Sequence, residues 1–137
     1  MYDEVSVFAE NKPGKLSMVA EVLSKAGIDI LAIYIADEGQ YGVFKMLTAQ
    51  PMKAREALAA AGMTTALTQV TCIEIPDQPG GLVKLANAVE KIGINLTNAY
   101  GCILERGKRA VFVVKGDNLP AIETAATAAG LTVLNKL

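Results

Sequence analysis

Residues 11–16 read N-K-P-G-K-L and residues 77–82 read D-Q-P-G-G-L. Each phrase follows an apolar alternating run and precedes a helix-patterned one, and the repetition carries the organisation of the chain. Pro13 recurs as Pro79, Gly27 as Gly93, Asp29 as Asn95 and Tyr34 as Tyr100, all at a displacement of 66 residues. Val43 to Val111 and Gly62 to Gly130 are displaced by 68, so two additional residues fall between Tyr100 and Val111, where a hairpin loop absorbs them. A fixed displacement of this kind marks a duplication. The expected halves are residues 1–69 and 70–137. No Gly/Pro-rich linker separates them around Gln69 to Thr71.

Within each half the hydrophobic period changes in step. Val5, Val7 and Ala9 alternate with Ser6 and Phe8 as in a strand. Leu16, Val19, Ala20 and Leu23 then fall on one helix face, matched in the second copy by Leu82, Leu85, Ala86 and Val89. Pro13 and Pro79 suit the first helical turn, where a missing N–H is no loss, and Gly27 and Gly93 suit the position just past the helix end. Two runs follow, Ile28 to Ala36 and Tyr41 to Ala49, joined by D-E-G-Q as a hairpin, and the second copy places E-R-G-K between its two runs. A second helix ends at Gly62 in one half and at Gly130 in the other, the latter opened by Asn118 as N-cap. A last strand closes each half. The order βαββαβ, written twice, predicts an α+β chain of two ferredoxin-like repeats, each an antiparallel sheet with both helices on one face.

One run breaks the half-buried pattern. I-D-I-L-A-I-Y-I-A is apolar at nearly every position after Asp29, as in a strand covered on both faces, yet the ferredoxin-like plan puts it at a sheet edge. Pairing of this edge with another, from the other half or another molecule, is the expected remedy, and a homodimer or larger oligomer follows. V-F-V-V at 111–114 likewise presents apolar side chains to both faces.

The 137 residues are 52% hydrophobic and 20% charged, enough apolar content for a packed core. A formal charge of −1 without a basic stripe argues against nucleic acid or an anionic membrane as partner. The chain shows no signal-peptide pattern and no bilayer-length apolar run, so a cytoplasmic protein is expected. Cys72 and Cys102, far apart in sequence, read as reduced thiols rather than a disulfide framework. The absence of histidine removes the commonest general base and metal ligand. No C-x-x-C or G-x-G-x-x-G motif occurs, so no catalysis, cofactor or metal is expected.

A βαββαβ half that opens its first helix with N-x-P-G-x-L and enters its second strand through A-G-I-D-I or I-G-I-N-L resembles an ACT domain, a small regulatory module that binds amino acids in many biosynthetic enzymes. The resemblance covers essentially the whole chain as two tandem copies, with no catalytic domain attached. It implies a freestanding amino-acid-binding regulatory protein with the ligand held at the joint between ACT domains. Elementary physics of the turn agrees. A helix N-terminus presents unpaired N–H groups and the positive end of its dipole to a carboxylate, and glycine removes the side chain that would block approach. The expected contact residues are therefore Pro13, Gly14, Lys15 and Leu16 in one copy and Pro79, Gly80, Gly81 and Leu82 in the other. Asn11, Asp77, Asp29 and Asn95 supply acceptors for the ligand's ammonium.

In the serine-binding ACT domains of phosphoglycerate dehydrogenase, one Asn lies in the turn and another eighteen residues later, the two sides of a site coming from different domains. Here 11 to 29 and 77 to 95 have that spacing. The resemblance then pairs Asn11 with Asn95 and Asp77 with Asp29. Two amides can both donate to a carboxylate and accept from an ammonium, whereas two carboxylates repel the ligand's own carboxylate, so the Asn11/Asn95 site is the expected working one. Taken singly, each of these residues also suits a ligand-free role: Pro-Gly-x-Leu starts helices, Asn11 and Asp77 can cap them, and Asp29 and Asn95 simply follow a loop glycine. Three functions remain open from sequence: an amino-acid sensor, a trans-acting regulatory subunit bound to an amino-acid biosynthetic enzyme (as in the acetolactate synthase small subunits), and an enzyme or purely structural oligomerisation module.

Overall fold

The computed structural model describes residues 1–37, 39–135 and 137. Among them the chain forms seven strands and four helices: β1 (Tyr2–Glu10), α1 (Lys15–Lys25), β2 (Ile30–Asp37), β3 (Tyr41–Thr48), α2 (Pro51–Ala60), β4 (Thr64–Pro76), α3 (Gly81–Lys91), β5 (Leu96–Glu105), β6 (Arg109–Gly116), α4 (Leu119–Ala128) and β7 (Thr132–Leu134). Residues Asp3–Thr68 form one compact unit, and Gln69–Leu137 with Met1–Tyr2 form the other. The strand expected to close the first repeat and the one expected to open the second are a single element, the 13-residue β4. With no turn residue between Thr64 and Ile75, nothing in the sequence interrupts it.

In the Asp3–Thr68 unit, β3 lies between β1 and β2, antiparallel to both, with Val7 opposite Phe44 and Phe44 opposite Ile35. The alternation of β1 and β3 sends Val5, Val7, Phe44 and Met46 to one face, where Val19 and Leu23 of α1 and Ala54 and Leu58 of α2 close the core. In the other unit β4 lies between β6 and β7, and β5 pairs the far side of β6. Ile73, Ile75 and Val114 meet Leu85, Val89, Ile122 and Ala126 of α3 and α4 in the equivalent core. Val111 and Val113 are also fully buried on the opposite face of β6, so V-F-V-V is covered on both sides.

The helix stops follow the sequence. Gly27, Gly62, Gly93 and Gly130 all take positive φ, 64° to 83°, one residue after a helix C-cap. Asn118 caps α4, its side-chain oxygen accepting from the Ala121 N–H at 3.0 Å. The helix starts differ from expectation. The N-caps of α1 and α3 are Gly14 and Gly80, with φ of 88° and 84°, so Pro13 and Pro79 stand one residue before the cap rather than in the first turn. The reason is turn chemistry: Pro followed by a glycine near φ +80°, ψ 0° is the middle of a type II β-turn, which reverses the chain before the helix begins. In the second copy that turn is closed by the Gly81 N–H donating to the Gln78 carbonyl at 2.9 Å.

Of the expected D-E-G-Q hairpin turn, Glu38 lies outside the described residues; Gly39 has φ 85°. The E-R-G-K turn closes with the Lys108 N–H donating to the Glu105 carbonyl at 3.0 Å. No helix among the described residues is long and apolar enough to cross a membrane.

The two turns tolerate different residues at the first helical position. A Cβ on Gly81 would overlap the Pro76 carbonyl oxygen, a backbone atom that cannot swing away, whereas the matching position in the first copy is Lys15, side chain included. Gly81→Ala is expected to lower unfolding free energy by about 1–3 kcal/mol in urea melts, and Lys15→Ala to stay within about 0.5 kcal/mol of the parent chain.

Candidate functional site

The turn from β1 into α1 opens onto a cleft of about 240 Å³ within the Asp3–Thr68 unit. Its walls are the turn Glu10 to Leu16 on one side and Ile35, Ala36 and Asp37 of β2 on the other, with Gly42 and Phe44 of β3 beneath. All of the first-copy turn residues expected from sequence, Asn11, Pro13, Gly14, Lys15 and Leu16, line it.

At the helix mouth the first intrahelical bond is the Met18 N–H to the Gly14 carbonyl at 3.1 Å. No side chain caps α1. Among the described residues, no side chain covers the first-turn N–H groups of Lys15, Leu16 and Ser17, which stand at the positive end of the helix dipole. Lys15 adds a cation at the same rim.

Earlier in the same turn, Asn11 is bonded to the β2–β3 hairpin. Its amide nitrogen donates to Asp37 Oδ1 at 3.0 Å and to the Gly39 carbonyl at 3.3 Å, while Gly39 N–H also donates to Asp37 Oδ1 at 2.8 Å. The backbone N–H of Asn11 donates to the Gln40 carbonyl at 3.1 Å. With the amide nitrogen engaged, what Asn11 has left to offer is an acceptor oxygen, and Asp37 brings a carboxylate next to it. Asp37 was not singled out from sequence. The signal was available: Glu10 pairs with Tyr41 and Asp37 with Gly42, so the hairpin register brings Asp37 beside the turn.

The second copy diverges at each of these points. Asp77 Oδ2 accepts from the Gly107 N–H at 2.6 Å and its own N–H donates to the Lys108 carbonyl, so the side chain is tied to the β5–β6 turn. The Gly81 and Val83 N–H groups donate to Gln78 and Gly80 carbonyls, closing much of the mouth of α3. At the displacement of the repeat, Asp37 becomes Ile103 and Ile35 becomes Gly101. Pro79 and Gly80 are exposed, Gly81 is buried and Leu82 is 42% exposed.

Asp29 and Asn95 lie at the opposite ends of their sheets from these turns. Ile30, next to Asp29, pairs with Thr48, whereas Asp37 pairs with Gly42, so the length of β2 separates Asp29 from Asn11, roughly 25 Å at the rise of a strand. Likewise Leu96 pairs with Gly116 at one end of β5, and Pro76 with Arg109 near the other. Both Asp29 and Asn95 are exposed. No single repeat brings its own turn and its own strand-start polar residue together.

Charge at the cleft is locally balanced. Lys12 and Glu10 pair at 2.5 Å; the hydrogen bond to Lys12, then its charge and that of Lys15, hold the Glu10 carboxyl below the usual range, and Glu10 in turn raises the Lys12 ammonium. In the other unit Arg109 makes a forked bond to Glu74, at 3.0 and 2.7 Å, and lowers its carboxyl pKa. The thiol of Cys102 is partly buried, which pushes its pKa up and away from thiolate reactivity.

Comparison with known proteins matches this geometry to a family. The profile of the ACT domain pair matches residues 1–135. Among solved structures, protein BT0572 from Bacteroides thetaiotaomicron is 27% identical, with a TM-score of 0.90 over 97% of this chain and 91% of that one. The regulatory subunit of aspartate kinase from Thermus thermophilus shares the fold at 18% identity, with a TM-score of 0.70 over 93% of this chain and 92% of that one. The aspartokinase alpha and beta subunits give a TM-score of 0.67 at 13% identity, over 93% and 91%. No curated protein matched. With the profile spanning both βαββαβ repeats and their Pro-Gly turns, the chain belongs to the ACT domain pair family.

Proposed function

We propose that this chain is an amino-acid-binding regulatory protein without catalytic activity of its own, holding an L-amino acid at the Asn11–Leu16 turn. The observation that carries the reading is the pairing of open amides at the α1 mouth with acceptor oxygens of Asn11 and Asp37 in one cleft. A zwitterion needs both: N–H donors with a nearby cation for the carboxylate, and oxygen acceptors for the ammonium. The remaining polar group, which the resemblance assigns to Asn95, comes from another βαββαβ unit. A few charge-assisted hydrogen bonds of roughly 1.5–3 kcal/mol each, less the cost of association, correspond to a Kd on the order of a micromolar. The second turn is a poor holder because the Gly81 and Val83 N–H groups donate to the Gln78 and Gly80 carbonyls and close much of the α3 mouth.

The reading also includes a homodimer. β2 bonds to β3 on one side only within its unit, and Ile33, Tyr34 and Ile35 are 40%, 41% and 49% exposed. An apolar strand with a bare edge is a template for another strand, and a second copy is the occupant we favour. A trans-acting role on a biosynthetic enzyme is the second reading. It is favoured by the same edge, and the Thermus thermophilus neighbour is a kinase regulatory subunit of the same fold.

Two measurements test this. In a thermal-shift screen of the twenty amino acids, at least one at a hundredfold excess over its Kd is expected to raise Tm by roughly 5–10 °C. Asn95→Ala and Asp37→Ala are expected to abolish that shift with an unchanged circular dichroism spectrum. A flat response across all twenty overturns the sensor reading, and retention of the shift in Asn95→Ala removes that residue from the site. In sedimentation the parent chain is expected at twice its monomer mass and Ile33→Lys at the monomer mass, because a charge on the edge strand blocks pairing. Co-purification of a stoichiometric enzyme from the native host would favour the second reading.

A further inference from the structure

Resting on the proposed amino-acid site, we infer that its ligand carries an uncharged, apolar side chain, of the aliphatic or small aromatic class. The two ends of the cleft answer the two charges common to all amino acids: the Lys15, Leu16 and Ser17 amides with the Lys15 ammonium for the carboxylate, and Asn11 with Asp37 for the ammonium. What is left between them is hydrocarbon. Leu16 on the first turn of α1 and Ile35 on the facing strand are 47% and 49% exposed, and Phe44 lies beneath, opposite Ile35 in the strand register. Ala36 completes this part of the lining.

Charge bookkeeping leaves no third partner. The Lys12 ammonium is held by Glu10, and Lys15 and Asp37 are the groups already assigned to the ligand's own carboxylate and ammonium. Among the described lining residues, then, a charged ligand side chain would lie against Leu16 and Ile35 with no unengaged counter-ion, losing water without compensation. An aliphatic side chain there instead removes its own surface and part of theirs from water. The cavity volume of about 240 Å³ is below the range usual for drug-sized ligands, roughly 300–1,000 Å³, and suits a single amino acid.

The other repeat serves as an internal contrast. It replaces Ile35 with Gly101 and Asp37 with Ile103, losing the aliphatic wall and the ammonium acceptor at once. The apolar wall and the acidic acceptor therefore occur together in the copy whose helix mouth is open.

Isothermal titration of the full chain with leucine, isoleucine, phenylalanine, serine, aspartate and lysine tests the inference. The tightest of the first three is expected to bind at least tenfold more tightly than serine, aspartate or lysine. Ile35→Ser and Leu16→Ser should each reduce the preference for that ligand over serine about fivefold or more. Tightest binding of aspartate or lysine overturns the selectivity while sustaining the amino-acid site. An unchanged preference in both variants, with loss of the dimer in sedimentation, also overturns it and assigns the two side chains to an interface. Absence of binding by any amino acid overturns the site itself.

Discussion

The passage from β1 into α1 depends on one backbone conformation, the positive φ at Gly14 and again at Gly80. For any other residue the steric cost of that conformation is roughly a kilocalorie per mole or more. It lets Pro13 and Pro79 fix the preceding dihedral so that the chain reverses within two residues and enters a helix with no side-chain cap. The uncapped start is the source of the chemistry. A Ser or Asp at the N-cap would satisfy the first amides from within and leave nothing to offer an anion. Glycine shapes the turn and keeps those amides open.

The two copies show how much of a site lies outside the shared turn. Their backbones repeat the same dihedrals, yet only α1 begins with an α-type bond from Met18 to Gly14; α3 begins with tighter bonds from Gly81 and Val83. Crowding explains part of this. Pro76 presses its carbonyl against Gly81, so the second turn is packed onto the preceding strand where the first leaves room for Lys15. Side chains complete the divergence. Asn11 has two hydrogens to place on Asp37 and Gly39 and an oxygen left over, while Asp77, with no hydrogens, can only accept and does so from Gly107. A single amide-to-acid difference thus changes the turn from an acceptor-presenting wall to a closed local clasp.

The sequence made the repeat, the strand and helix order and the helix ends readable, because each rests on local chemistry: period for the elements, positive-φ glycines for the stops, Asn118 for a cap. Read from sequence, Pro13 and Pro79 sit two positions too far into their helices, since Pro at the first helical position and Pro before a left-handed glycine differ only in the dihedrals of the next residue. The turn residues that line the cleft were legible for the same local reason. The engagement of Asn11 by Asp37 was not, because residues 26 positions apart meet only through the register of β1, β3 and β2. The contrast between Ile35 and Gly101 was present in the 66-residue displacement all along, but an exposed aliphatic acquires meaning only once Leu16 and Phe44 are known to stand beside it.

The edge strand joins the fold to the site. β2 carries the apolar wall of the cleft at Ile35 and a carboxylate at Asp37, and among the described residues its strand pairing is with β3, at the end of the sheet order. Any strand that paired with that edge would therefore run alongside the cleft, and on the proposed reading a ligand between α1 and β2 touches the element through which copies associate. This is the arrangement a regulator requires, because a ligand can shift an equilibrium only by its differential contact with the two states. A ligand held wholly within the packed core of one repeat would stabilise that repeat and change nothing outside it. Held at the margin of an edge strand, as proposed, a ligand would act on the surface through which the chain associates.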